Sequence, residues 1–164
     1  MIKPAILFKE QITMEFHKYF YTQDMFYETG CVEGWVPEIA EHQKGNNYQW
    51  AIVDSNDKLI GFISYYIDRY TDSVNQFGLL SFDRGNVIIG KEVYNLLEDL
   101  ASKHHRVEWR AIGGNPANKA YEKFCKKHNG TKHILKDACR DADGNYHDDI
   151  IYEIVKDRRK NYDN

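Results

Sequence analysis

At 164 residues the chain is long enough for one ordinary hydrophobic core and short for two full domains. Hydrophobic residues at 42% and charged residues at 29% describe a globular composition, and a formal net charge of −3 excludes a chain built mainly to coat nucleic acid. Cys31, Cys125 and Cys139 are odd in number and form no Cys-x-x-Cys pair, which points to reduced thiols rather than a disulfide framework.

The opening MIKPAILFKE lacks the long apolar core of a secretory signal. No run approaches the ~20 apolar residues that span a bilayer. The expectation is therefore a soluble cytoplasmic protein with no membrane partner.

In chain order, PAILFKE (4–10) reads as a first strand, followed by Ile12, Phe16, Tyr19 and Phe20 at the spacing of one helical face. The next segment, to about residue 47, mixes short helical pieces with breakers. YQWAIVD (48–54) and LIGFISYYID (59–68) are apolar, β-branched and aromatic, and the polar link between them predicts a hairpin. TDSVNQ reads as a further turn and FGLLSF (77–82) as the next strand.

Between about 88 and 104, Ile89, Val93, Leu96, Leu97, Leu100 and Ala101 follow the helical period, which predicts an amphipathic helix. RVEWRAI (106–112) is the strand after it. Asn115 as N-cap and Pro116 at the first helical position then start a helix to about His128, with Ala117, Ala120, Tyr121, Phe124 and Cys125 on one face. TKHILK and DDIIYEIVKD, joined through Asp143-Gly144, form a closing hairpin, and 158–164 is a charged tail beyond a single domain spanning 1–157. The fold class is α/β of the α+β kind: one mixed, mostly antiparallel sheet flanked by helices.

Two stretches carry chemistry. DRGNVIIGKEV (83–93) leads into a helix whose first backbone amides and partial positive charge suit an anion. NPANKAYEKF places Tyr121 on an amphipathic helix, where a half-buried aromatic is the plainest reading. Cys125, His128, His133, Cys139 and His147 fit no standard zinc spacing, and the glycine of DADGNYHDD falls too early for a calcium loop, so no metal is expected.

With this element order, FGLLSFDRGNVIIGKEVYNLLEDLA and GGNPANKAYEKFCKKHNG together resemble the GNAT superfamily of acetyl-CoA-dependent N-acetyltransferases. The family's loop pattern, Q/R-x-x-G-x-G/A, lays Gly90 on its last glycine, Ile88 on its first and Gly85 on the Gln/Arg position. The resemblance implies acetyl-CoA, or another acyl-CoA, as co-substrate. Its pyrophosphate contacts would be the amides of Asn86, Val87, Ile89, Gly90 and Lys91, with charge from Arg84 and Lys91.

The family's helix pattern N-x-x-A-x-x-x-Y-E-K is matched at Ala117, Tyr121, Glu122 and Lys123, with Asn115 one residue nearer the tyrosine than usual. It implies cofactor contacts at Asn115 and Lys123, and Tyr121 as general acid toward the departing thiolate. Leu79, Leu80 and Ser81 occupy the strand that polarises the thioester carbonyl in this family. Asp83 and Glu108 are the candidates for deprotonating the amine.

The implied reaction is direct attack of a primary amine, small-molecule or peptide, on the thioester. Phe26, Tyr27 and Trp35 fall where the family builds its acceptor pocket, and the oligomeric state, a homodimer included, is open. The alternative is a non-catalytic interaction module of the same fold with weak or no CoA binding. A metal-dependent hydrolase is a more distant rival.

Overall fold

The computed structural model describes residues 1–22, 26–29, 38–41 and 45–156. Cys31, Trp35 and the tail from 158 lie outside them. Strand β1 (Ile2–Pro4) is followed by one turn of 3₁₀ helix (Ala5–Phe8), then by helices α1 (Lys9–Thr22) and α2 (Phe26–Thr29). Three antiparallel strands come next: β2 (Asn47–Val53), β3 (Leu59–Asp68) and β4 (Ser73–Ser81). Helix α3 (Val87–Lys103), β5 (Arg106–Ile112), α4 (Asn118–Lys127), β6 (Thr131–Arg140) and β7 (Tyr146–Val155) complete the chain.

The described strands form one seven-stranded sheet in the order β1-β2-β3-β4-β5-β7-β6. Its one parallel pair is β4 with β5, joined by the α3 crossover, and the other pairs are antiparallel. That mixture follows from length. A hairpin closes an antiparallel pair cheaply, whereas a parallel pair needs a crossover of about a dozen residues or more, and α3 supplies it.

Helices cover both faces. Ile89, Val93, Leu97, Leu100 and Ala101 of α3 and Phe124 and Cys125 of α4 are buried in one core with Ile63, Val107, Trp109 and Tyr152. Each large apolar side chain so buried contributes roughly 1.5–3 kcal/mol, which anchors the start of α3 against the sheet. On the other face Ile12, Phe16 and Tyr19 of α1 pack on Ala51, Phe62 and Leu80. Of the predicted α1 face, only the Phe20 side chain lies outside those described. Ala120, expected on the inner face of α4, is exposed.

Two boundaries differ from the sequence reading, each for a physical reason. PAILFKE is not a strand: only Ile2–Pro4 pairs, and from Ala5 the buried positions Ala5, Ile12, Phe16 and Tyr19 already keep a helical spacing. TDSVNQ is not a turn either. The chain turns at Tyr70–Asp72, where Asp68 Oδ1 accepts the Tyr70 and Thr71 amides at 2.8 and 3.3 Å, and β4 begins at the buried Ser73 and Val74.

The polar Asn75-Gln76 marks a bulge instead. Between the rungs Tyr66↔Asn75 and Ser64↔Gly78, β4 spends one more residue than β3. It does the same against β5 between Val74↔Val107 and Phe77↔Trp109. Gln76 takes a positive φ of 52°, which absorbs the extra residue.

Candidate active site

The bulge sets up the site. Past the rung Phe77↔Trp109, β4 stays paired with β3 through Ser81, and β5 stays paired with β7 through Ile112, but the two parallel strands no longer pair with each other. In an antiparallel pair, half the backbone groups of a strand point away from its partner. Along Gly78–Ser81 that half of β4 has no β5 to bond and faces an opening.

The opening is a cleft of about 490 Å³. Phe77, Gly78, Leu79 and Ser81 of β4 line one wall; Arg110 of β5, with Gly114 and Asn115 beyond it, lines the other. Arg84 and Gly85 close the end at the start of α3, and Ala117 and Tyr121 of α4 and Tyr27 of α2 complete it. The lining carries two cations, Arg84 and Arg110, and no carboxylate.

The turn into α3 is closed by the Asn86 amide donating to the Asp83 carbonyl at 3.1 Å, with Gly85 at φ +85°. A positive φ at the third turn position is what glycine provides. Asn86 caps the helix: its Oδ1 accepts the Ile88 amide at 2.9 Å, and its carbonyl accepts the Ile89 amide at 3.1 Å. The conformationally demanding glycine is thus Gly85, whereas Gly90 is helical and its missing Cβ faces open space.

Ile88, where the resembling family has glycine, packs against the core. Val87 is 84% exposed, Lys91 is exposed and Ile89 is buried. The amides of Asn86 and Ile89, two expected anion contacts, are already engaged within the turn.

Helix α4 starts two residues later than the sequence predicted, at Asn118. Asn115 still organises its entry: Oδ1 accepts the Ala117 amide at 2.9 Å and the carbonyl accepts the Asn118 amide at 3.0 Å. Asn118 Nδ2 donates to the Ile112 carbonyl at 2.9 Å, and its Oδ1 accepts the Tyr152 hydroxyl at 3.0 Å. These bonds fix α4 on the end of β5.

Tyr121 on α4 meets the Trp109 ring edge-on at 6.1 Å and Tyr152 at 5.9 Å. Burial, with a smaller push from Tyr152, raises its hydroxyl to about 12. It lines the cleft and makes no hydrogen bond among the described residues. A protonated donor therefore faces the opening.

The predicted residues separate clearly. Leu79, Ser81, Arg84, Asn115 and Tyr121 come together around the cleft. Leu80 is buried on the α1 face, so only its backbone belongs to that stretch. Lys123 is exposed on α4 and does not line the cleft.

Asp83 is exposed and accepts Asn86 Nδ2 at 2.8 Å. Glu108 sits before the last β4–β5 rung and pairs with Arg106 at 2.8 Å, in a row that continues through Glu153 to His133. Strand alternation points that row away from the core face that holds Trp109. Neither carboxylate lines the cleft.

The sequence reading missed Gly78, Arg110 and Gly114. Gly114 carried the clearest signal, being the second of two glycines at a strand end. It takes φ +91°, and a Cβ there would stand 2.9 Å from the Tyr27 hydroxyl. Tyr27, expected in an acceptor pocket, thus contacts the β5–α4 loop, and its carbonyl accepts Asn115 Nδ2 at 3.3 Å. Among the described residues no group of three or more His, Cys, Asp or Glu could hold a metal ion, and no helix is long and apolar enough to cross a membrane.

A mixed seven-stranded sheet, helices on both faces and parallel strands parting over a cleft together make the GNAT fold. Solved structures share it over most of the chain. An N-acetyltransferase from Staphylococcus aureus superposes with a TM-score of 0.67 at 16% identity, covering 94% of this chain and 97% of that one. A Salmonella typhimurium acetyltransferase that modifies the N-terminal serine of a 50S ribosomal subunit protein gives 0.61 at 16%, covering 95% and 94%. The spermidine/spermine N-acetyltransferase of Vibrio cholerae gives 0.55 at 17%, covering 69% and 67%. No protein-family model and no curated protein sequence matches the chain.

Proposed function

We propose that this protein is an acyl-CoA-dependent N-acyltransferase that transfers acetyl from acetyl-CoA to a primary amine. The observation that carries this reading is the parting of β4 and β5 beyond Phe77↔Trp109, with Arg84 at one end of the opening and the Tyr121 hydroxyl in its wall. The volume suits an extended small ligand, and the cation Arg84 at one end suits its phosphates, whereas Arg110 is already paired with Asp149 at 2.8 Å.

In this reading the pyrophosphate lies at the turn Asp83–Asn86 and the start of α3, and the pantetheine arm runs between the strands. The thioester carbonyl takes a hydrogen bond from a β4 amide along Gly78–Ser81. Tyr121 donates to the sulfur. With that hydroxyl at about 12 and an ordinary thiol near 8.5, full proton transfer is uphill, so its part is a hydrogen bond that strengthens as charge builds on sulfur.

The acceptor is an amine. The Vibrio and Salmonella neighbours, which act on a polyamine and on a protein N-terminus, span the range to be screened. Calorimetry with acetyl-CoA, followed by release of free CoA in the presence of amines, tests the reading. Binding and amine-dependent release are expected, and no binding with acetyl-CoA in large excess would sink it. One observation favours a second reading, a non-catalytic module: three amides at the α3 start, those of Asn86, Ile88 and Ile89, are taken up by Asp83 and Asn86. The same titration separates the two.

A further inference from the structure

Glu108 and Arg110 project from the same face of β5, yet only one of them reaches the cleft. Glu108 lies before the last rung, Phe77↔Trp109, and is paired with Arg106. Arg110 lies one residue beyond that rung, where β4 has parted, and it lines the opening. Its neighbours Trp109 and Ala111 are buried in the core under α3 and α4, so strand alternation turns Arg110 to the opposite side.

The cleft therefore has two unlike sides. Phe77, Leu79 and Tyr121 pack against the α3–α4 core. A cofactor with its phosphates at the start of α3 and its sulfur at Tyr121 fills that side, which leaves the other to the amine. Helix α2 covers part of the other side: Phe26 sets its ring 4.9 Å from that of His147, which shares the Asp149 face of β7. Arg110 and the Tyr27 of α2 are thus the polar side chains that meet an acceptor there.

Both keep unused donors. Arg110 Nη2 lies 2.8 Å from Asp149 Oδ2, and the guanidinium, which carries five N–H donors, has no other partner among the described residues. Its side chain is 55% exposed and that of Asp149 17%, and Asp149 does not line the cleft, so the opening meets the cation and not the acid. The Tyr27 hydroxyl, set over Gly114, makes no hydrogen bond among the described residues. A forked guanidinium beside a hydroxyl suits a carboxylate, and a wall of positive sign without a described acid opposes a second ammonium.

We propose that the acceptor is an amine that also carries a carboxylate, which Arg110 and Tyr27 hold while the amine reaches the thioester. The assignment rests on the acyl-transfer reading above and names the class of amine it uses. A polyamine, with a second ammonium in place of the carboxylate, meets Arg110 with like charge and is the poorer acceptor.

The test uses the full chain, acetyl-CoA and a set of probe amines. Glycine, β-alanine, 4-aminobutyrate and 6-aminohexanoate are each compared with the alkylamine of equal length, and 1,4-diaminobutane is the doubly charged probe. All these amines have pKa values within about a unit of lysine's 10.4, so the neutral fraction does not decide the order. In kcat/KM for CoA release, the best amino acid should exceed its alkylamine by about 10-fold or more, with diaminobutane below butylamine. In Arg110→Gln that ratio should drop to about one, through KM more than kcat, and in Arg110→Glu diaminobutane should overtake the amino acid.

A merely structural role would lower both members of a pair by one factor and leave their ratio. A ratio unchanged in Arg110→Gln overturns the proposal; if acetyl-CoA affinity by calorimetry falls in the same variant, Arg110 serves the cofactor's phosphates instead. A parent protein that prefers diaminobutane, or favours no amino acid over its alkylamine, also overturns it. Each of these results leaves the acyl-transfer reading standing. Acetyl-CoA binding by the parent without CoA release from any probe overturns that reading, and this one with it.

Discussion

Phe77 and Trp109 form the last rung that joins β4 to β5, and everything that makes the cleft lies beyond them. Trp109 is buried and meets Tyr121 edge-on, while Phe77 lines the opening and stacks on Tyr65 at 6.4 Å. One rung thus fixes both where the strands separate and where the tyrosine stands.

Tyr121→Phe removes the hydroxyl and keeps the ring packed on Trp109 and Tyr152. The turnover number should fall about 10- to 100-fold, the scale of a lost hydrogen bond to a developing charge. Acetyl-CoA affinity should stay within about twofold, because the ring supplies the packing. Steady-state kinetics beside calorimetry checks this, and an unaltered rate removes Tyr121 from the chemistry.

Gly85 and Gly90 should respond oppositely to alanine. At Gly85 the φ of +85° opposes a side chain, so Gly85→Ala should cost about 1 kcal/mol and disturb the turn that carries Arg84. Gly90 is helical with open space around it, so Gly90→Ala should stabilise α3 by about 0.5–1 kcal/mol. If acetyl-CoA approaches that backbone closely, its affinity should fall in the same variant. Urea unfolding and calorimetry on the two proteins read both effects.

Gly130 joins α4 to β6, and a Cβ there would stand 2.5 Å from the Glu153 carbonyl oxygen and 2.7 Å from Cys125 Sγ. Because one of those atoms is backbone, the clash cannot be relieved by a rotamer. Gly130→Ala should cost about 1–3 kcal/mol, seen as a lower urea midpoint at unchanged slope. A midpoint equal to the parent's would mean that β7 yields freely at that point.

Glu98 on α3 accepts from Lys127 on α4, and this bond, against some burial and with help from Tyr94 and His128, holds its carboxyl at about 2 rather than 4.5. The folded state therefore binds fewer protons than the unfolded one. The stabilisation is present above pH 4.5 and is lost as pH falls toward 2. Both partners are partly exposed, so solvent screening limits the gain to about 1 kcal/mol or less. Unfolding midpoints at pH 7 and pH 3 should differ less in Glu98→Gln than in the parent, and equal differences would assign the acid loss elsewhere.

Helix α3 and strand β5 were legible because their patterns are local. A 3.6-residue apolar period from Ile89 to Ala101 has few ways to be buried, and the α3 face lies on the sheet as that period requires. The start of α4 was legible to within two residues, since Asn115 and Pro116 act on their neighbours alone. TDSVNQ misled because its polar residues look like a turn when their surroundings are unseen. In the fold Ser73 and Val74 are buried strand, and only Asn75-Gln76 breaks the ladder.

The sequence by itself determined the element order, the amphipathic faces of α1, α3 and α4, and the tyrosine with the asparagine that shapes the turn before its helix, all through interactions a few residues long. Tertiary structure alone decided the cleft, because β4 and β5 part only when a bulge in one strand meets the register of another some thirty residues away. It also withdrew Glu108 into a pair with Arg106. Cross-strand register depends on the packing of both faces at once, and no local pattern encodes it.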